Sequence, residues 1–466
     1  MKHLLIFFIA ICLHLYGCAS VNEAIETDPD IRKLSEEIKR SPYDPRPHLQ
    51  LALLYSNKYK TKHSISYLDQ AIHETREALL LAPDFPPAHG LLSTFLIEKA
   101  YATLDEDLID ESKNEYEKAI KLNPDFARAK DIYPPHIRTA QLYLIKSVKD
   151  KIFIDRAIQE LKVSVRLNPN VSLSHFLLGG IYEDLDNNEL ALFEFNEAAR
   201  LDPDNPEVYA HIGSLHKTGV HSGDGCLDES ATEKGIAAYR EAAKLDPHEA
   251  LYHRELGWFY RHKGLYDMEV FEAREALRLE NSHKSHKALG DAFLWKGEFE
   301  QAVEEYLEAI RLQPRDIDII RTLAFTYFLL NKYDNAVREF TRFLNKADLP
   351  DTYALLWKYL SLKEIGKDIE AGKLLDDYTG RFKGKKWESL LINYHQGAIS
   401  ESDLISGTRH KCDKAEAYFY IGYNALHTDN QQKAREFFQK TLDTHVYCYY
   451  EYAAARAKLA QLDAMK

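Results

Sequence analysis

Two interleaved residue series set the fold class of this chain. Gly179, Gly213, Gly257, Gly290 and Ala324 stand 34, 44, 33 and 34 residues apart. Pro169, Pro203, Pro247, Asn281 and Pro314 keep nearly the same step, at 34, 44, 34 and 33. A fixed period of this length means one small supersecondary unit stacked on copies of itself. The clearest copy, 172–205, carries Leu178-Gly179, Tyr182, Ala191, Phe195, Ala198 and Pro203. Ala191 and Ala198 are seven apart and share one helix face, so two helices can approach closely, with Phe195 filling the volume between them. Pro203 cannot continue a helix and turns the chain into the next copy.

This pattern resembles the tetratricopeptide repeat (TPR), a helix–turn–helix unit of 34 residues. The register extends over eight units in 45–348, the first two lengthened by seven residues. The resemblance implies an all-α, right-handed α-solenoid of about nine to ten units with N- and C-terminal capping helices. The expected organisation is a signal peptide over 1–17, a tether and leading capping helix over 18–44, and eight units over 45–348 with an insertion at 217–234. Degenerate helical hairpins over 349–410 and a terminal TPR with a capping helix over 411–466 complete it. The C-terminal layout, with Trp387 leading one hairpin and Ile421-Gly422 in the last unit, is similar to the tail of some bacterial TPR lipoproteins.

Composition agrees with this class. Glycine (20) and proline (16) together make up under 8% of 466 residues, against roughly 12% in average proteins. That shortage argues against turn-rich β architectures. The net charge of −13 argues against a nucleic-acid partner, which needs clustered positive charge.

The first residues read as an address. Lys2 precedes an apolar run over 4–16 that is shorter than the roughly 20 residues of a transmembrane helix. It ends Leu15-Tyr16-Gly17-Cys18, which resembles the bacterial lipobox, whose cysteine is lipidated and becomes the first residue after cleavage. An ordinary secretory peptide cut elsewhere is the alternative. Ala19 rather than Asp after the cysteine implies the outer membrane, so the chain is expected there, facing the periplasm. Acyl chains on Cys18 would supply more than the two signals that stable anchoring needs.

No catalytic motif is found: G-x-x-x-x-G-K-[ST], G-x-S-x-G, H-E-x-x-H and C-x-x-C are all missing. The chain reads as a non-enzyme without cofactor or metal. His216, His221, Asp224, Cys226 and Asp228 bring ligand types close together, but in no known metal spacing. Cys412 and Cys448, 36 residues apart, are the candidate disulfide pair. Such a bridge needs Cα atoms within about 7 Å, while helix axes stand about 8–10 Å apart, so it requires a favourable tilt.

The TPR resemblance also implies a partner surface, with the first helix of each unit lining a concave groove. Its register places Arg254, Trp258, Arg261, Lys287, Trp295, Arg321, Phe325 and Phe328 there. Arg254, Lys287 and Arg321 form a row of cations with aromatics beside them, suited to an acidic segment of another protein. In the opposing reading the aromatics are buried against neighbouring helices, with the Arg stems packed over them. The expected function is a lipid-anchored scaffold or adaptor whose partner is an envelope hydrolase. The alternative is a pilotin-like factor for a secretin or pilus component.

Overall fold

The computed structural model describes residues 28–125, 135–147, 150–219, 228–347, 351–378 and 386–464. The signal peptide, Cys18, Tyr133, Pro134, His221, Asp224 and Cys226 lie outside the described residues. Among those described, 24 helices occur and no strand.

Helix α1 (Pro29–Arg40) leads. Four helix pairs follow: α2 (Pro45–Lys62) with α3 (Ile65–Leu81), α4 (Pro86–Thr103) with α5 (Asp107–Leu122), α6 (Pro135–Ser147) with α7 (Ile152–Leu167), and α8 (Ser172–Asp184) with α9 (Asn188–Leu201). These belong to one compact unit, Met1–Pro203. The second unit, Asp204–Lys466, opens with α10 (Pro206–Gly219) and α11 (Glu229–Leu245), then α12 (Ala250–His262) and α13 (Tyr266–Leu279). It continues with α14 (His283–Lys296) and α15 (Phe299–Leu312), α16 (Ile317–Leu329) and α17 (Tyr333–Leu344), and α18 (Thr352–Glu364) and α19 (Asp368–Tyr378). It closes with α20 (Lys386–His395), α21 (Glu401–Ser406), α22 (Lys411–His427), α23 (Gln431–Leu442) and α24 (Tyr450–Ala464).

The punctuation is local chemistry. Pro29, Pro45 and Pro86 start helices at the position where a missing N–H costs nothing. The Asp28 and Asp316 carboxylates accept from two backbone N–H groups each at their helix starts. Pro83, Pro124, Pro169, Pro203, Pro247 and Pro314 each stand two residues past a helix end. In the first unit α1 caps α2, Ile31 packing with Leu51, Ala52 and Tyr55.

Several pairs are held by a ring laid against a small residue. A Cβ built on Gly179 would come 2.8 Å from the Phe195 ring, and one on Gly290 would come 2.8 Å from Tyr306. Gly422 faces Phe438 in the same way, at 2.9 Å. Gly257 differs. Its Cβ would meet only the Glu269 carbonyl and Glu272 at 3.5–3.6 Å, which is ordinary contact. The helix-B place occupied elsewhere by the ring holds Ala273 here. The insertion at 217–234 also differs from a simple loop, because α10 and α11 extend into it and leave 220–227 between the described helices.

A second interlock recurs between paired helices. His Nδ1 meets Glu Oε2 in His48–Glu74, His136–Glu160, His175–Glu194 and His253–Glu272, at 2.7 Å in each. His286–Glu305 closes at 2.6 Å and His89–Glu115 at 2.5 Å. Each histidine is the fourth residue of its repeat, and its side chain is at most 14% exposed. The Glu272 hydrogen bond raises the His253 pKa above 6.5, against the opposing effect of burial. Burial pushes Glu115 up, but Lys118 and His89 outweigh it and hold that carboxylate below its usual range.

Gly290→Ala should destabilise the protein by about 1–3 kcal/mol, because the Tyr306 ring must shift. Gly257→Ala should be neutral or stabilising by up to about 1 kcal/mol through helix propensity alone. Urea melts of the two variants test this contrast. The His253 contribution has a pH signature. Protonated His253 gains Glu272 on folding, so the stabilisation is complete below about pH 6.5 and fades as pH rises through the raised folded value. His253→Gln should therefore cost on the order of 1 kcal/mol more at pH 6 than at pH 9. Equal losses at the two pH values would contradict it.

Candidate functional site

The residues named from the repeat register separate into two groups. Phe325 and Phe328 are 1% and 0% exposed. Phe325 meets Trp357 edge-on at 4.8 Å, and Phe328 meets the same ring at 5.0 Å. Trp295 is also buried, stacked on Tyr450 at 5.6 Å with an 11° interplanar angle. These three belong to the core of the second unit rather than to an open groove. The reason is energetic: burying each such side chain contributes roughly 1.5–3 kcal/mol, which an exposed groove would forgo. Trp258 is half-buried, with Lys217 over its ring at 4.8 Å and the His262 ring at 3.7 Å.

The cations divide as well. Arg254 does not stand free. Its side chain is 13% exposed, and Nη1 donates to Glu280 at 2.5 Å and to Ser285 at 3.3 Å. Charge reversal at Arg254 would therefore break an internal ion pair before it touched a partner. Arg261, Lys287 and Arg321 instead converge on one half-open pocket of about 230 Å³, with Asp291, Trp295 and Tyr450 in its lining. Lys287, Asp291 and Trp295 follow one another at four-residue steps on α14, so one helical face presents all three. Arg261 comes from the end of α12, Arg321 from α16 and Tyr450 from the first turn of α24.

Electrostatics in this pocket centre on Asp291. It accepts from Lys287 at 2.8 Å, from Arg261 at 3.3 Å and from the Tyr306 hydroxyl at 2.8 Å. Burial pushes its pKa up, but Lys287 and Arg261 outweigh burial and hold the carboxylate below its ordinary value. Arg261 also pairs with Glu269 at 2.5 Å and lies 5.6 Å from the centre of the Trp295 ring. Burial raises the Glu269 pKa to about 7 in spite of that arginine. Arg321 bonds Asp351 at 3.0 Å and Asp318 at 3.2 Å, while its buried Nε has no hydrogen-bond partner among the described residues.

Helix α24 supplies the wall that the repeat register did not predict. Arg456 reaches the Trp295 carbonyl, and Tyr266 donates to the Tyr447 carbonyl at 3.1 Å. Tyr420 donates to Glu451 at 2.9 Å, and Trp387 donates to Glu416 at 2.7 Å, tying α20, α22 and α24 together. Tyr447 and Tyr450 carried a signal, as part of the aromatic run at 447–452, but nothing in the repeat spacing placed them against α14 and α16.

The cysteine pairing differs from expectation. Cys448 is a free thiol, while Cys412 is disulfide-bonded, so the bridge does not join these two. Helix α24 begins at Tyr450, which leaves Cys448 in the preceding turn, and Val446 rather than Cys448 packs on Cys412. Burial raises the Cys448 thiol to about 12. Among the described residues no group of three or more His, Cys, Asp or Glu side chains could hold a metal ion. No described helix is long and apolar enough to cross a membrane.

Comparison with known proteins follows this geometry. The TPR repeat family matches residues 290–331, and the tetratricopeptide repeat family matches 94–126 and 173–205. These three stretches carry TPR repeats. The human Superkiller complex protein 3 is 22% identical over 383 residues, covering 68% of this chain and 24% of that protein. The Lipoprotein NlpI homolog of Haemophilus influenzae is 23% identical over 219 residues, 45% of this chain and 69% of its own length. The chain thus spans about a quarter of the first relative and just over two thirds of the second. Among solved structures, PilW, described as a type IV pilus biogenesis factor, has a TM-score of 0.43 at 17% identity, over 48% of this chain and 98% of its own.

Native protein should resist alkylation at Cys448, because a half-buried thiol whose pKa is pushed up to about 12 carries almost no thiolate at pH 8. After unfolding without reductant, mass spectrometry should find Cys448 alkylated and Cys412 protected. Cys412 labelled under those conditions would contradict the bonded state.

Proposed function

We propose that this protein is a non-enzymatic scaffold, anchored by lipid on Cys18 to the periplasmic face of the outer membrane, that binds segments of other proteins. TPR repeats present inner-helix side chains side by side along the array, which suits extended recognition by several small contacts. The observation that carries the reading is the meeting of Arg261, Lys287 and Arg321 at one half-open pocket beside Trp295 and Tyr450. The three cations are held there by carboxylates of the same unit, Glu269, Asp291, Asp318 and Asp351, so the pocket presents fixed charges of both signs. The lipobox-like Leu15–Cys18 segment supports anchoring. The name of the Haemophilus relative, a lipoprotein, agrees with it.

Two measurements test this. Cys18→Ser should release the protein from the outer-membrane fraction or leave it unprocessed, and a variant that still fractionates there in processed form would remove the anchoring claim. Affinity capture from detergent-solubilised envelope should yield a protein partner whose recovery falls several-fold in Lys287→Glu, a variant checked for its fold by circular dichroism because loss of the pair with Asp291 lowers its melting temperature. Full capture by a folded Lys287→Glu would place the partner surface elsewhere. A pilus or secretin component among the captured proteins would favour the pilotin-like role over a hydrolase adaptor.

A further inference from the structure

We propose that α24 is an acid-closed strap, docked over α14 and α16 while Glu416 and Glu451 share a proton and released when that proton leaves. Release uncovers Trp295 and Phe325, and that this regulates partner capture rests on the scaffold reading above. The helix is held on two flanks at once. On one, Tyr450 stacks on Trp295 and meets Phe325 at 4.3 Å, Arg456 reaches the Trp295 carbonyl, and Lys458 donates to Tyr333 at 3.2 Å. On the other, Glu451 accepts from Tyr420 at 2.9 Å, and Arg435 reaches the Leu462 carbonyl. Ala453, Ala454 and Ala455 between them are fully buried. Tyr450 and Glu451 are neighbours in the first turn, so Glu451 cannot swing into water without turning Tyr450 off Trp295.

Two carboxyls meet in this joint with no counter-charge. Glu416 and Glu451 are each 3% exposed. Glu416 and Tyr420 are four apart on one face of α22, and Tyr420 carries the bond to Glu451. Every side-chain donor on the pair is neutral: Trp387 to Glu416 at 2.7 Å, Tyr353 to Glu416 at 3.2 Å, and Tyr420 to Glu451. The groups around them bring no cation. Tyr353 of α18 senses Glu388 of α20 and Tyr449 of the turn as well as both carboxyls. Asp413 of α22 takes up Arg409 at 3.1 Å and His410 at 3.4 Å. His395 of α20 stands edge-on to Tyr420 at 4.9 Å with neither ring nitrogen hydrogen-bonded among the described residues, and burial holds it neutral, with its pKa lowered to about 3. Lys458, two turns along α24, serves Glu364 at 3.7 Å. Burying an unpaired carboxylate is costly, so the pair keeps a proton instead. Burial accordingly pushes both carboxyls above their usual range, and the Glu451 charge adds to this at Glu416. The sign follows: docking is fully supported below about pH 4.5 and loses that support as pH rises through the raised folded values.

Hydrogen exchange read by mass spectrometry on the full-length protein in detergent tests this. After correction for the intrinsic pH dependence of exchange, protection of the α24 amides should be about tenfold or more lower at pH 8 than at pH 5, with the other helices of the second unit losing less. Glu451→Gln cannot ionise and should keep its pH 5 protection at pH 8. Tyr420→Phe removes a donor that favours the charged form of Glu451, so its loss of protection should move to higher pH, a shift that can be read even if Glu451→Gln fails to fold. Equal α24 protection at the two pH values, a loss spread evenly over the second unit, a folded Glu451→Gln that still loses protection, or a Tyr420→Phe midpoint that stays or falls would each overturn the strap. Envelope capture should be stronger at pH 8 than at pH 5, and Glu451→Gln should lower it several-fold at pH 8. Capture that ignores both, with exchange as expected, would remove this face as the partner site and leave the strap standing.

Discussion

The contact on which the array depends is the flat face of a helix-B ring laid on a residue with little or no side chain in helix A. Phe195 on Gly179, Tyr306 on Gly290 and Phe438 on Gly422 repeat it in both compact units. The ring supplies large apolar area, and the small residue lets the helix axes come close enough to use it. Neither half works alone. Where the ring is replaced by Ala273, the glycine opposite, Gly257, has room for a Cβ. The buried His–Glu pairs tie the same helices together, adding an electrostatic clasp to an apolar contact.

Helix α24 changes what the second unit can present. With Tyr450 stacked on Trp295 and tilted against Phe325 at 4.3 Å, the aromatics of α14 and α16 are committed to internal packing. What is left around Asp291 is polar: the heads of Arg261, Lys287 and Arg321, each paired with a carboxylate of the same unit.

Much of the fold could be read from the chain because repeat contacts are local. The partners of Gly179 and Gly290 lie 16 residues away, inside one hairpin, so spacing alone announces them. The histidines at the fourth place carried a periodic signal too, at His48, His89, His175, His253 and His286. That signal says nothing of partners until the paired helices are seen in contact. The site was harder to read. Lys287 and Arg321 share the repeat period, and Arg261 was placed with them by the groove register, but period alone could not tell a groove-facing Phe325 from one packed on Trp357 and Tyr450.

The sequence by itself determined the class of architecture, the helix pairs, their punctuation by proline and the rings that interlock them, because those contacts recur within about one repeat length. Only the tertiary structure decided that Arg254 is paired with Glu280, that Cys448 is a free thiol not joined to Cys412, and that α24 stacks on α14 and α16. The Tyr450 contacts with Trp295 and Phe325 join residues 155 and 125 positions apart, a separation set by how the second unit curls rather than by any period in the chain.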